Sequence, residues 1–313
     1  MAFGLRPFLE QDSQAILAIA NAAIPYDLEG NQRWLRLRIQ VDEQRFLRRH
    51  YVVIGEEARQ LVGYGALEQQ GPDPQRLRVY LLAHPGFLRR GVGNALYARL
   101  MEDLEKLNVT GLWMQEYHQD SELLGFMHER GFVQTRLTWD MRLSLAKANV
   151  SRLMPILEEV AARGIIISTL TEEYRRNPGV LPLLHALFNA ARDESFRPLT
   201  FEAFRQELDQ PGVIPQGFFI AREGERLIGL SALWRMGAEP DYAIQRWTGV
   251  LPIYRRQGIG AALRLCTIDT AQRLGFHMLV AYTDHSDPVM LALNEKLDFH
   301  RWFGYATLEK SLQ

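Results

Sequence analysis

The residues best suited to chemistry in this chain are two glycine turns flanked by arginine, set one fixed distance apart. Pro85-Gly86-Phe87-Leu88-Arg89-Arg90-Gly91-Val92-Gly93-Asn94-Ala95-Leu96 aligns without a gap on Pro252-Ile253-Tyr254-Arg255-Arg256-Gln257-Gly258-Ile259-Gly260-Ala261-Ala262-Leu263. The offset is 167 residues, and it still holds between Phe132 and Phe299. Each turn runs into an amphipathic segment, so it presents peptide N–H groups at a helix start, where unpaired donors and the helix dipole favour an anion. Glycine allows a phosphate to approach and the turn to adopt unusual dihedrals. Nearby arginines add charge and planar donors. The dinucleotide-binding pattern is excluded, since Leu96 and Leu263 stand where its third glycine belongs, and no Lys-Ser/Thr pair makes a Walker loop. A single copy would equally suit a plain strand-to-helix turn with solvated arginines; the duplication gives it weight.

Each turn needs a strand before it and a helix after it. Leu77–Leu82 reads as the first strand and Gly93–Leu107 as the first helix, with Val92, Leu96, Leu100, Leu104 and Leu107 in one apolar stripe. Upstream, Leu5–Phe8 is a strand, Asp12–Ala23 a helix, and Tyr51–Ile54 with Leu61–Leu67 a hairpin. Downstream, Leu112–Met114 is a strand, Ser121–Arg130 a helix, and Phe132–Leu143 closes the first half in alternating strands. The pattern then restarts. Ile165–Leu170 is a strand, Val180–Asp193 a helix, and Phe218–Ala221 with Leu227–Leu233 a hairpin. Arg246–Val250 precedes the second turn, Gly260–Leu274 follows it, and Met278–Tyr282, Pro288–Leu297 and Trp302–Leu308 complete the order. Between the halves, 146–164 carries apolar residues at helical spacing and ends at Gly164, with Pro155 in the first turn. The expected domains are therefore 1–145 and 165–313, joined by a connecting helix over 146–164.

Composition narrows the partners. A net charge of −1 gives no global field for nucleic acid, so phosphate binding must be local. The lone Cys266 excludes an internal disulfide framework and reads as a packed thiol in a reducing compartment. No apolar run is long enough to span a bilayer, and the first residues show no signal peptide, so a cytoplasmic location and no membrane partner are expected. The eight histidines lack metal-ligand spacing, so no metal is expected. Arg33, Arg36, Arg38, Arg45, Arg48 and Arg49, with Trp34 and Phe46, suit an amphipathic surface helix at least as well as an acidic partner.

Arg255-Arg256-Gln257-Gly258-Ile259-Gly260 resembles the Arg/Gln-x-x-Gly-x-Gly/Ala signature of the GNAT N-acetyltransferase superfamily, and 287–299 resembles that family's following helix and strand entry. The resemblance covers nearly the whole chain twice. It implies an α/β (α+β in some schemes) protein of two tandem GNAT folds, each a mixed, mostly antiparallel twisted sheet flanked by helices. It also implies acetyl-CoA as co-substrate. In the second copy its contacts would be Thr248, Gly249, Val250, Arg255, Arg256, Gln257, Gly258, Ile259, Gly260, Ala261 and Asn294. In the first they would be Leu82, Ala83, Arg89, Arg90, Gly91, Val92, Gly93 and Asn94. The turn would hold the diphosphate, the strand before it would pair with the pantetheine arm, and a primary amine would attack the thioester directly.

Several positions depart from that pattern. Leu88 replaces the signature Arg/Gln, so the first copy is expected to be degenerate and the second catalytic. Met127 and Asn294 stand where many relatives carry a general-acid tyrosine, and Asp298 where glycine is usual. No carboxylate occupies the strand position near Leu77 or Ile244-Gln245 that often supplies a base. The remaining candidates are Gln245 at that position, Glu239, Asp241 and Tyr242 in the preceding loop acting through water, and Tyr282 or Tyr305 as an acid. Each is also an ordinary loop or strand residue. Asp287 suits a helix cap. Phe196, Phe201 and Phe204 could shape an acceptor pocket or simply pack. The expected activity is acetyl transfer to a small-molecule amine by a monomer or homodimer. A non-catalytic acyl-CoA-binding protein and a protein-lysine acetyltransferase are the alternatives.

Overall fold

Strands form where β-branched and aromatic residues alternate with small or polar ones, and the helices between them carry apolar stripes toward the sheets. The computed structural model describes every residue except 1–2, 26–27, 29, 33–34, 36–46, 56–59, 71–72, 193–197, 238 and 313, and only the backbone at 152–153. Arg33, Trp34, Arg36, Arg38, Arg45, Phe46 and Phe196 therefore lie outside the described residues. Two compact units result: residues 1–136 with 306–313, and residues 137–305.

In the first unit, β1 (Phe3–Pro7), β2 (Arg48–Gly55), β3 (Gln60–Gln69) and β4 (Arg76–Ala83) are antiparallel neighbours, and β5 (Gly111–Tyr117) joins β4 in parallel. Helix α1 (Ser13–Ala23) precedes β2, α2 (Val92–Leu104) links β4 to β5, and α3 (Ser121–His128) follows β5. Val92, Leu96 and Leu100 of α2 pack with Val53, Val62, Val79 and Leu112 in one core. Gly63 of β3 lies directly under α2, where a Cβ would collide with Val92 Cγ1. The absent side chain lets the helix seat on the sheet.

The second unit repeats the plan. It contains α4 (Met154–Ala162), β7 (Ile165–Thr169), α5 (Leu170–Arg176), α6 (Val180–Ala190), α7 (Phe201–Leu208), β8 (Val213–Glu223), β9 (Arg226–Met236), β10 (Glu239–Val250), α8 (Ile259–Arg273), β11 (Met278–Asp284) and α9 (Pro288–Lys296). Pro155 sits in the first turn of α4, where a missing N–H costs nothing. Helix α5 was not expected, although Thr169 and Glu172 form a reciprocal capping box that announces it. Strand β10 begins at Glu239, well before the expected Arg246, because Tyr242, Ala243 and Ile244 already pair with β11.

One expectation is overturned. Strand β6 (Val133–Ser144) does not close the first half. From Thr138 to Ser144 it pairs antiparallel with β11, and Met141, Leu143 and Leu145 lie in the second unit's core. In exchange, the end of β12 (His300–Ser311) serves the first unit: Ala306 and Leu308 join its core, and the Leu312 N–H donates to the Thr110 carbonyl at 2.8 Å. Alternation in a sequence shows which side chains face a core but not which sheet accepts the strand. The two compact units thus divide the chain at 137 and 306, where the sequence repeat divides it at 146–164.

Candidate active site

Strands β10 and β11 run parallel and are paired at only three positions, Tyr242 with Met278, Ala243 with Leu279 and Ile244 with Val280. Beyond Ile244 they part. On its other edge β10 stays bonded to β9 as far as Val250, so the edge facing the opening has peptide groups without a β11 partner. The parting coincides with a bulge. Gln245 pairs with Leu233 and Trp247 with Ala232, leaving Arg246 as the inserted residue. In a regular strand Gln245 and Trp247 would share a face. The bulge separates them. Gln245 reaches Thr267 of α8, whereas the Trp247 ring packs on Phe188 of α6 at 4.5 Å and stacks on Phe204 of α7 at 5.9 Å.

The strand then enters the glycine turn. Arg256 and Gly258 have φ of 59° and 82°, and Gly258 is the N-cap of α8 with no side chain capping it. Left-handed kinks of this kind turn successive N–H groups toward one side. Ile259 is buried, so it offers a ligand its backbone alone, and Gly260 lies beside Val250 and Leu293. Arg255 folds back: its Nε donates to the Val250 carbonyl at 3.1 Å and its Nη2 to the Ala191 carbonyl at 3.2 Å, clamping the strand end. The Gln257 carbonyl accepts from Arg163 at 3.1 Å.

The first unit has the same backbone with other surroundings. Arg89 and Gly91 have φ of 57° and 94°, and β4 parts from β5 after Arg78 and Trp113. No bulge marks the parting, because β4 pairs with β3 in unbroken register from Leu77 to Ala83. Arg89 is bound to Glu122 at 3.0 Å, Asn94 Oδ1 accepts from Arg130, and the Phe126 ring lies where a Gly93 side chain would go. Arg90 lies 5.5 Å from the Phe87 ring, and Leu88 is exposed.

The catalytic candidates fall in three places. Glu239 and Asp241 precede the paired segment, and the Asp241 carbonyl accepts from the His277 N–H. Asp241 is seven residues before Thr248, about 23 Å along a strand, so both carboxylates lie at the joined end rather than beside the opening. Gln245 is buried. Its amide donates to Ser231 Oγ at 2.8 Å and to the Trp247 and Ala232 carbonyls, and its Oε1 accepts from Thr267. That amide ties β9, β10 and α8 together and does not ionise, so it can serve as neither acid nor base. Tyr282 alone stands on the parted stretch, two residues past Val280 and 45% exposed. Opposite it on β6, the fully buried Asp140 holds Arg142, whose Nη2 donates at 2.9 Å. This ion pair helps raise the pKa of Arg142 against the lowering effect of burial.

One further polar group in this unit, Arg264, escaped the sequence reading, and Asn294, expected as a cofactor contact, proves to be buried. Arg264 of α8 is 2% exposed; among the described residues its Nε and Nη2 have no hydrogen-bond partner, and Nη1 reaches Met290 Sδ at 3.5 Å. Burial pulls its pKa down to about 9, so it remains a cation at neutral pH. Asn294 of α9 donates to Thr283 Oγ1 at 2.7 Å, and its buried Oδ1 has no donor among the described residues. Leu265, Ile268 and Ala271 continue the apolar stripe of α8, which gave Arg264 no distinguishing context in the sequence. Phe204 is core, Asp287 caps α9 through the Met290 N–H at 2.9 Å, and burial raises the Cys266 thiol to about 11, an unreactive state. Among the described residues no group of three metal-binding side chains occurs, and no helix is long and apolar enough to cross a membrane.

A parted parallel strand pair feeding a helix through a glycine turn is built twice in this chain. The acetyltransferase (GNAT) family profile matches residues 16–132 and 181–299, and the chain belongs to that family. It is similar to the mycothiol acetyltransferase of Thermobispora bispora, 28% identical over 93% of each chain. The mycothiol acetyltransferase of Pseudarthrobacter chlorophenolicus is 26% identical over 77% of this chain and 72% of that one. A GCN5-related N-acetyltransferase from Sphaerobacter thermophilus superposes with a TM-score of 0.70 at 18% identity, covering 99% of this chain and 95% of the other. A tandem GNAT protein from the clavulanic acid biosynthesis pathway superposes at 0.66, 18% identical, covering 99% and 98%. The chain is an N-acetyltransferase with two GNAT domains.

Proposed function

We propose that the second unit binds acetyl-CoA and transfers its acetyl group to a primary amine of a small molecule. The observation that carries this reading is the bulged parting of β10 from β11, which leads to an uncapped glycine turn. The diphosphate lies on the turn amides of Gly258, Ile259, Gly260 and Ala261, with Arg256 nearby. The pantetheine arm pairs with the open edge of Thr248, Gly249 and Val250 as an added strand. The carbonyl of the thioester is polarised by a backbone N–H at the bulge, and the amine attacks it in a ternary complex without a covalent enzyme intermediate. Tyr282 borders that opening and is our candidate for passing the amine proton to water. Relatives named as mycothiol acetyltransferases, matched over most of their length, support a small acceptor over a peptide.

The test is CoA release measured with acetyl-CoA and a panel of small primary amines, beside a lysine peptide. Turnover that depends on a small amine and gives intersecting double-reciprocal lines is the expected result. Tight acetyl-CoA binding with no amine-dependent release would make the chain an acyl-CoA sensor, a reading consistent with Asn294 in place of an acidic hydroxyl.

A further inference from the structure

Thioester aminolysis ends by expelling sulfur as an anion, and neither Asn294 nor its counterpart Met127 can supply it with a proton. Arg264 is placed to meet that charge. Helix α8 runs antiparallel to β10: Gly260 lies beside Val250, and Thr267 bonds Gln245. Arg264 falls between these two contacts and is therefore level with the bulge from Gln245 to Trp247. Its guanidinium touches Met290 of α9 and lies 5.0 Å from the Phe299 ring, in the seam between α8 and α9. Across the seam, Asn294 is tied to Thr283 on the parted stretch of β11.

A buried guanidinium normally has a carboxylate partner, because isolating the charge is costly. Among the described residues none lies within ion-pair reach of Arg264, and two of its three nitrogens have no acceptor. Six residues into the helix, about 9 Å from Gly258, it is also too deep to be the diphosphate's partner at the turn. We propose that Arg264 receives the departing CoA thiolate as a hydrogen-bonding cation, in place of a side-chain acid. The inference rests on the acetyl-CoA reading above. The amine lone pair attacks the carbonyl carbon, and the carbonyl π pair moves to oxygen. When C=O re-forms, the C–S bond breaks and its electron pair goes to sulfur. The proton on the amine nitrogen leaves to water. Arg264 keeps its own protons and stabilises the thiolate by charge and N–H donation until CoA departs. In the first unit the same position holds Tyr97, whose hydroxyl takes a hydrogen bond from Lys310 at 3.2 Å, so the helix there supplies no cation and a half-buried lysine of β12 stands beside it.

The experiment titrates the thiol of CoA bound to the full-length protein, read by thiolate absorbance in the ultraviolet, for wild type and Arg264→Met. On wild type the thiol ionises at a pH at least about one lower than on Arg264→Met, and Arg264→Lys recovers part of the difference. With acetyl-CoA and amine, kcat of Arg264→Met falls about tenfold or more while acetyl-CoA affinity changes less than about threefold. Its unfolding temperature stays at or above that of wild type, because an unpaired buried charge has been removed. Should Arg264→Met not fold, Arg264→Gln gives the same titration readout. Identical thiol titration on wild type and variant, or an unchanged kcat, overturns the proposal while leaving the acetyl-CoA reading intact. Failure of wild type to bind CoA at all overturns both.

Discussion

The two glycine turns share a backbone and differ in almost everything that touches it. Both carry a left-handed arginine and a left-handed glycine two residues later, at Arg89 and Gly91 and at Arg256 and Gly258. In the first unit Glu122 neutralises the arginine, Phe126 covers Gly93, and the strand leading in is regular. In the second, Val289 stands at the position of Glu122, Leu293 at that of Phe126, and the strand is bulged where it leaves its neighbour. In both units the helix after the turn seats closely on a sheet glycine: Val92 Cγ1 would collide with a Cβ at Gly63, and Leu263 Cδ1 is only 3.0 Å from where a Gly229 Cβ would stand. Nothing in those sterics preserves a ligand site. Scaffold and surroundings therefore differ independently between the two copies, and the bulge and the arginine left unneutralised among the described residues are why we propose the second unit as the site.

The comparison is broken most forcefully through the exchanged strands. Met141 lies in the sequence of the first repeat but is fully buried in the core of the second unit, whereas Leu308 lies in the second repeat and is buried in the first. Met141→Ala should cost about 2–5 kcal/mol and accelerate hydrogen exchange in β11 and α8, and Leu308→Ala should do so in β5 and α2. Exchange that rises in the unit of sequence origin would contradict the strand assignment. The next largest contrast concerns the turns. Gly258→Glu places a carboxylate on the proposed diphosphate path and forces a side chain into a left-handed residue, so acetyl-CoA affinity should fall about a hundredfold. Gly91→Glu should change it less than about threefold, and calorimetry showing equal losses would remove the ranking of the two units.

Much of this was legible in the sequence, and what was hidden shares one cause. Local signals are strong where a single segment decides its own conformation: the glycine turns, the apolar stripe from Val92 to Leu104, the cap at Asp287 and Pro155 in a first turn all follow from short-range chemistry. Non-local pairing is a different matter. The destination of β6, the bulge at Arg246 and the pairing of Tyr242–Ile244 with β11 depend on residues far away in the chain. That is why Glu239 and Asp241 were read as loop groups near the chemistry when strand pairing places them at the closed end. Arg264 was invisible for a related reason. An arginine on a helix is ordinarily a surface residue, and only packing against Met290 and Phe299 shows that this one is shut off from bulk solvent and lacks a counter-ion among the described residues.

A smaller effect sharpens the electrostatic half of the comparison. Glu122→Val should release Arg89 and raise acetyl-CoA affinity at the first turn, and Val289→Glu should lower it at the second by about fivefold through a new ion pair with Arg256. Both pairs are solvent-exposed, so raising the salt concentration should shrink the two changes together. A Val289→Glu effect that persists in high salt would mean that the side chain acts by blocking the site rather than by neutralising the arginine.

The smallest expected effect lies at Asp298. The sequence departs from the family's glycine there, and the structure shows what the departure entails: Asp298 has φ of 63°, matching Gly131 at 81° in the first unit. A left-handed residue terminates the helix in both units, and glycine adopts that conformation without steric strain. Aspartate tolerates it better than most side chains but still bears part of the roughly 1 kcal/mol penalty. Asp298→Gly should therefore change stability only slightly, relief of strain being partly cancelled by the greater freedom glycine gains in the unfolded chain. Gly131→Ala, which introduces the strain without a polar side chain to offset it, should lower stability by about 1 kcal/mol. If thermal unfolding showed Asp298→Gly to be the more damaging change, the carboxylate would have to be making a contact in the folded state that outweighs its backbone strain.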